Sequence, residues 1–340
     1  MKAKIVVANW VHPAVLSFLG ACGKVVPNHD SEPLSRISLI ERCRDADALM
    51  AFMPESVDED FLSACPKLRI VACALKGYDN FDVEACTRRD IWVTIVDDLL
   101  TAPTAELALG LMIALARNVE PGSAWVRSGK FQGWRPRFYG RSLDGSTVGL
   151  IGAGAVGKAL AVRLAGFKCQ LIYHDERHLT PDQERHLKLN RVSLEELRAR
   201  SDFIVLALPL TQATNHLIDA DFLAAMRPGS YLINPARGSL VNEEAVADAL
   251  ESGHLGGYAA DTFEMEDWAR GDRPYTISNR LLASEKTILT PHLGSAVDDV
   301  RLEIAMAAAN SIVQCLRGER PQGAVNVVGE WGVPEERECP

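Results

Sequence analysis

The feature that most constrains this chain is Gly152-Ala153-Gly154-Ala155-Val156-Gly157, which directly follows the apolar run 147–151 and opens a stretch with apolar residues at 156, 160 and 164. A G-x-G-x-x-G alone occurs in many packing turns. Here the run before it reads as a strand and the spacing after it as a helix. A second apolar run, 169–173, is followed by an acid, Asp175, 18 residues beyond Gly157. The glycines permit a tight turn and close backbone approach, while the first N–H groups of the helix and its positive dipole end face a pyrophosphate. Asp175 then accepts hydrogen bonds from an adenosine ribose. Gly152, Gly154, Ala155, Val156, Gly157 and Asp175 are therefore the expected cofactor contacts. A 2′-phosphate would face both Asp175 and Glu176, so NAD is expected over NADP, with Arg177 softening the preference.

The surroundings extend the same pattern. Apolar runs at 203–208, 230–234, 258–261 and 287–290, separated by helical material, read as a parallel sheet covered on both faces. Runs at 4–10, 47–53, 69–75 and 91–96 predict a second, smaller α/β sheet. Pro103 falls in the first turn of an apolar helix running to about Arg117, which marks a helix start and a candidate hinge. The fold class expected is α/β, with two Rossmann-like domains built on parallel sheets. Residues 1–98 plus 296–340 would form the substrate domain and 99–295 the NAD domain, with the helix 297–316 returning to the first. After about Ala324 the chain reads as loosely ordered.

Composition removes several alternatives. The net charge of −9 over 340 residues gives no basic footprint for a phosphate backbone, so no nucleic-acid partner is expected. The longest apolar run, 107–116, is far short of the ~20 residues that span a membrane. Asn9, His12 and Pro13 interrupt the N-terminal apolar stretch before a signal-like core is complete, so the reading is a cytoplasmic protein. Eight cysteines without a C-x-x-C pair read as reduced thiols. His174 and His178 have an i, i+4 spacing but leave a strand rather than riding a helix, so no metal site is expected.

Three segments place a charged or titratable residue just after an apolar strand: Arg237 in NPARG, Glu266 in ADTFEMEDW and His292 in TPHLGSA. Ligands in open parallel sheets bind beyond the carboxyl ends of strands, so the three are expected at one crevice with the cofactor. Arg237 offers a planar fork for an oxyanion. His292 can act as general acid or base near neutral pH, with Glu266 orienting its ring. Taken singly, each also reads as an ordinary structural residue.

The GAGAVG, NPARG, ADTFE and TPHLGSA segments resemble the D-isomer-specific 2-hydroxyacid dehydrogenase family over essentially the whole chain. The resemblance implies an active site in the interdomain cleft, NAD-dependent hydride transfer, a homodimer built around the cofactor domain, and Arg237, Glu266 and His292 as the catalytic set. It also implies cofactor contacts at Thr104, Ala207, Leu208, Pro209, Pro235, Ala236, Arg237, Asp261, His292 and Gly294.

The segments 51–83, 127–140 and 263–274 resemble the phosphite-oxidising branch of that family. This implies phosphite as the small anionic substrate, held by Lys76, Arg237 and the backbone of Leu75 and Gly77, while His292 takes a proton from an attacking water. Lys76 would supply a second cation for a compact dianion. Met53, Trp134, Tyr139 and Ser295 would line the pocket. From the residues alone, Lys76 reads as a solvated turn lysine, Met53 as core, and Trp134 and Tyr139 as an interface or lid. Two other readings stand beside phosphite oxidation: reduction of a small 2-keto acid such as glyoxylate or hydroxypyruvate, and a non-catalytic NAD-sensing interaction protein.

Overall fold

The computed structural model describes residues 2–329. They fall into two compact units, one running to Leu100 and resuming at Val297, the other spanning Thr101–Ala296.

The first unit is a wholly parallel sheet of β1 (Ala3–Val7), β2 (Gly23–Pro27), β3 (Ala48–Ala51), β4 (Ile70–Cys73) and β5 (Trp92–Thr94), in the order β2-β1-β3-β4-β5. Every residue of β3 and β4 is buried, and since successive side chains point to opposite faces, both faces of the sheet are covered. That double burial is why these strands read as unbroken apolar runs. The edge strand β2 was not legible, because its exposed Lys24 and partly buried valines give neither a run nor an alternation.

The helix Asp298–Leu316 belongs to this unit: Ile304, Ala305, Ala308, Ala309 and Ile312 form a buried stripe at helical spacing within the unit's core. The Arg69 guanidinium donates to the Cys315 carbonyl at 3.1 Å. The expectation of a loose tail after Ala324 is corrected for the described residues. Ala324 bridges antiparallel to Thr94, the Val93 N–H donates to Asn326 Oδ1 at 2.9 Å, and Asn326 Nδ2 donates to the Ile91 carbonyl at 2.9 Å. A buried amide, with no apolar periodicity to announce it, thereby covers the open edge of β5. The rest of that expectation, from residue 330 onward and including Cys339, lies outside the described residues.

The second unit holds β6 (Thr147–Ile151), β7 (Gln170–His174), β8 (Leu189–Arg191), β9 (Phe203–Leu206), β10 (Ser230–Asn234), β11 (Leu255–Ala260) and β12 (Thr287–Leu289), all parallel, in the order β12-β11-β10-β9-β6-β7-β8. The order reverses between β6 and β9, and the crevice outside the carboxyl ends at such a reversal is where doubly wound sheets bind ligands. The helix Thr101–Ala116 buries Ala105, Ala108, Leu111, Met112 and Leu115 in this unit's core, with Pro103 in its first turn. The edge strand β8 escaped the sequence because two of its three residues are exposed.

Candidate active site

At the end of β6 the glycine turn is fixed by sterics. Gly152 has φ 100°, and a Cβ there would lie 2.3 Å from the Ala207 carbonyl oxygen. A Cβ on Gly157 would meet the Gly152 oxygen at 2.3 Å, so helix 155–164 packs directly on the turn. Around Gly154, by contrast, a Cβ would meet nothing within 4 Å, and no side chain caps the helix that follows. Its first N–H groups are left for a ligand. Asp175, just past β7, accepts from the Ala153 N–H at 2.7 Å through Oδ2 and from the Arg177 N–H at 2.8 Å through Oδ1. Each oxygen keeps acceptor capacity for a ribose hydroxyl. Gly152, Gly154, Asp175, Ala207, Leu208 and Pro209 line one cavity of about 520 Å³, with Glu176 and Arg177 on the same wall. Ala155, Val156 and Gly157 form the first turn of the helix beside it. These residues fit a dinucleotide: an uncapped helix start for the pyrophosphate and a carboxylate for the ribose.

The adjacent strands β10, β11 and β12 end in three turns that brace one another. Asn234, fully buried at the end of β10, donates to the Arg237 carbonyl at 2.7 Å and accepts from the Ala236 N–H at 3.1 Å, which folds Pro235 and Ala236 tightly and projects Arg237 from the strand end. Gly238 packs on the backbone of Phe263, where a Cβ would lie 1.8 Å from the carbonyl carbon. The Ser239 N–H donates to Asp267 Oδ2 at 2.7 Å. The Arg237 turn and the turn carrying Glu266 are thus locked together.

Glu266 accepts from the Phe263 N–H at 2.9 Å through Oε1, and its Oε2 lies 2.7 Å from His292 Nδ1. That contact sets Nδ1 toward the carboxylate and leaves Nε2 as the outward nitrogen. His292 has φ 54°, an unusual conformation for a residue with a side chain. Its N–H is held by the Asp261 carbonyl at 2.9 Å. The buried Asp261 carboxylate gathers the rest of that loop, accepting from the Thr290 hydroxyl at 2.6 Å, the Leu293 N–H at 2.7 Å and the Gly294 N–H at 2.8 Å. Burial pushes the Asp261 carboxyl up, while these donors oppose the shift. Asp261 therefore builds the His292 loop, a role beyond the expected cofactor contact. Thr104 donates to the Gly294 carbonyl at 3.3 Å, tying the start of helix 101–116 to the same loop, and Ser295 is buried beside it.

In the first unit, Met53 follows β3 and its carbonyl accepts from Asn80 Nδ2 at 3.3 Å. Leu75, Lys76 and Gly77 follow β4. The Lys76 ammonium lies 2.5 Å from Asp97 and 3.8 Å from Asp98, with the side chain 41% exposed. Its ammonium is thus engaged by two exposed carboxylates of its own unit. Trp134 and Tyr139 are 77% and 76% exposed. They belong to the irregular stretch after helix Val119–Arg127, which itself buries no residue. Sequence reasoning missed Asn234 and Asp267, which brace the Arg237 and Glu266 turns; Arg301 of helix 298–316 places its guanidinium 5.8 Å from the Phe52 ring centre. A lone arginine among the apolar positions of helix 298–316 is the signal that was available.

Among the described residues, no group of three His, Cys, Asp or Glu could hold a metal ion, and no helix is long and apolar enough to cross a membrane.

Residues 109–294 match the family model described as D-isomer specific 2-hydroxyacid dehydrogenase, NAD binding domain. The chain is 36% identical to a glyoxylate reductase of Pyrococcus furiosus over 331 residues, covering 96% of each chain. Its fold is similar to that of the TT0316 protein of Thermus thermophilus, with a TM-score of 0.86, 32% identity, and coverage of 95% and 100% of the two chains. It is also similar to the structure of a glyoxylate reductase from Paecilomyes thermophila, with a TM-score of 0.81, 26% identity, and coverage of 95% and 98%. Two of these relatives are named for glyoxylate reduction, so the narrower resemblance to phosphite-oxidising members is not supported by them. The second unit carries the family's NAD-binding domain, NAD is the cofactor, and the chain belongs to the D-isomer-specific 2-hydroxyacid dehydrogenases.

Proposed function

We propose that this chain reduces a small 2-keto acid to the 2-hydroxy acid with NADH, glyoxylate being the first candidate. When bound, the reduced nicotinamide supplies the hydride that the keto carbon receives. Arg237 grips the substrate carboxylate with its guanidinium fork. His292, oriented through Nδ1 by Glu266, donates a proton from Nε2 to the carbonyl oxygen, which becomes the product hydroxyl. The observation that carries this reading is the 2.7 Å His292–Glu266 contact at the carboxyl edge that also bears Arg237 and the dinucleotide cavity. The names of the relatives support glyoxylate over other small anions. Consumption of NADH by the purified protein with glyoxylate, hydroxypyruvate and pyruvate tests it, and no turnover with any of them contradicts it.

A second reading, oxidation of phosphite, is favoured by one observation: a cation, Lys76, stands in the turn after β4. It predicts NADH formation from NAD and phosphite. For the assembly we propose a homodimer through helix 119–127 and the stretch that follows, whose Val119, Val126, Phe131 and Trp134 are exposed. A monomer at micromolar concentration by light scattering contradicts it.

A further inference from the structure

Glu266 sits in a turn of only three residues, Glu264–Glu266, closed by two backbone bonds, from the Glu266 N–H to the Phe263 carbonyl at 2.9 Å and from the Asp267 N–H to the Glu264 carbonyl at 3.2 Å. Such a turn cannot hold its own orientation, so its outside contacts set it. Beside the Ser239 N–H bond to Asp267 and the packing of Gly238 on Phe263, one of these is a reciprocal clasp with the start of helix Glu243–Glu251. The Glu264 N–H donates to Glu243 Oε1 at 2.9 Å, and the Glu243 N–H donates to Glu264 Oε1 at 3.1 Å. Both residues are buried, 3% and 7% exposed, and neither touches the dinucleotide cavity.

The groups facing this pair account for its charge. Glu264 Oε2 meets His216 Nε2 at 2.8 Å and the Arg270 guanidinium at 3.3 Å. Glu243 faces the Ser278 N–H at the start of helix Asn279–Ala283, the fully buried Tyr258 of β11, and Glu244 of its own helix, which is drawn outward to Arg280 at 3.1 Å. Burial, reinforced by the neighbouring Glu264 carboxylate, pushes the Glu243 carboxyl up to about 7. Near neutral pH it is partly protonated, which relieves the like-charge repulsion and lets both carboxyls keep their N–H partners.

We propose that Glu243 and Glu264 are positioning residues for the reaction: their clasp fixes the Glu264–Glu266 turn, the turn fixes Glu266, and Glu266 fixes the ring of His292. The proposal rests on the reading of His292 as the acid–base group. Reach, rather than charge, is what the clasp requires of Glu243. A displacement of Glu264 by a fraction of an ångström is carried two residues along the chain to a bond only 2.7 Å long, and a misplacement of ~1 Å in a catalytic group costs about a hundredfold in rate.

Two variants of the full-length protein separate reach from charge. Glu243→Gln keeps the length and an acceptor oxygen. Glu243→Asp keeps an ionisable carboxyl, is one methylene shorter, and suits the first turn of a helix. The primary readout is the downfield proton resonance of the hydrogen-bonded His292 Nδ1–H, assigned by its loss in His292→Asn, and the second is kcat with glyoxylate beside the Kd for NADH. Glu243→Gln is expected to keep the resonance, with kcat within about twofold of the parent. Glu243→Asp is expected to shift or lose the resonance and lower kcat about tenfold or more, with the NADH Kd unchanged. The proposal is overturned if Glu243→Asp keeps the parent resonance and kcat, if both variants lose them equally, or if NADH binding falls together with kcat. A protein that does not turn over glyoxylate still answers through the resonance, so failure of the functional reading is distinguishable from failure of the clasp.

Discussion

His292 Nδ1 lies 2.7 Å from Glu266 Oε2, and the same residue holds a left-handed backbone at φ 54° with its N–H fixed by the Asp261 carbonyl. Ring and main chain are thus pinned from two directions, which leaves Nε2 with a defined aim. His292→Asn keeps a residue that tolerates the left-handed region while removing the acid. It is expected to lower kcat by about 10² to 10⁴ with NADH affinity retained, measured by steady-state turnover and NADH fluorescence titration.

Arg237 is projected from β10 by the buried amide of Asn234 rather than by flexible loop. Arg237→Lys keeps the charge and loses the two-pronged donor geometry. The expected outcome is a fall in kcat/KM of about a hundredfold or more, with the same thermal midpoint and NADH affinity. A lysine variant near parental kcat/KM would show that a point charge suffices.

Gly152 combines φ 100° with an approach that puts a Cβ 2.3 Å from the Ala207 carbonyl oxygen. Since the atoms in the way are backbone, nothing can move aside cheaply. Gly152→Ala is expected to abolish measurable NADH binding and to lower the thermal midpoint by several degrees. Gly154→Ala meets nothing in the protein, so it should leave the midpoint unchanged and weaken NADH binding alone.

The comparison of these two glycines shows what the sequence carried and what it did not. Gly152 to Gly157, Asp175, Arg237, Glu266 and His292 were legible because each stands just beyond an apolar strand, and strands buried on both faces announce themselves as continuous apolar runs. The residues that aim them were not. Asn234, Glu243 and Glu264, and Asp261 beyond its expected cofactor contact, work through hydrogen bonds within and between turns, some joining residues 21 to 33 positions apart, and no local periodicity encodes those bonds. Edge elements were lost for the complementary reason: β2, β8 and the 323–326 segment on β5 bury only part of their surface and leave no pattern. Lys76 was placed correctly after β4, but its pairing with Asp97 depends on a carboxylate 21 residues later.

That pairing yields a prediction that separates the two substrate readings. With its ammonium already against Asp97, Lys76→Ala is expected to change the KM for glyoxylate by no more than about fivefold, since exposed pairs of this kind contribute ~1 kcal/mol or less. Phosphite oxidation requires instead that the same substitution raise the phosphite KM severely.

Glu55, 3% exposed, accepts from the Phe52 N–H at 2.6 Å and from Asn9 at 2.8 Å, and burial pushes its carboxyl up to about 7. A carboxyl whose folded pKa exceeds its unfolded value binds more protons when folded. Its stabilising contribution is therefore complete below about 4.5 and is lost as pH rises through about 7. Glu55→Gln, which cannot ionise, is expected to flatten the fall in thermal midpoint between about pH 5 and pH 8. A variant with the parental pH slope would place that proton elsewhere.

The decisive measurement follows NADH absorbance in two mixtures of the purified protein, NADH with glyoxylate and NAD with phosphite. NADH consumption with glyoxylate, lost in His292→Asn and in Arg237→Lys, is the predicted result. NADH formation from phosphite without any glyoxylate reduction, or no turnover in either mixture, would contradict glyoxylate as the substrate of this chain.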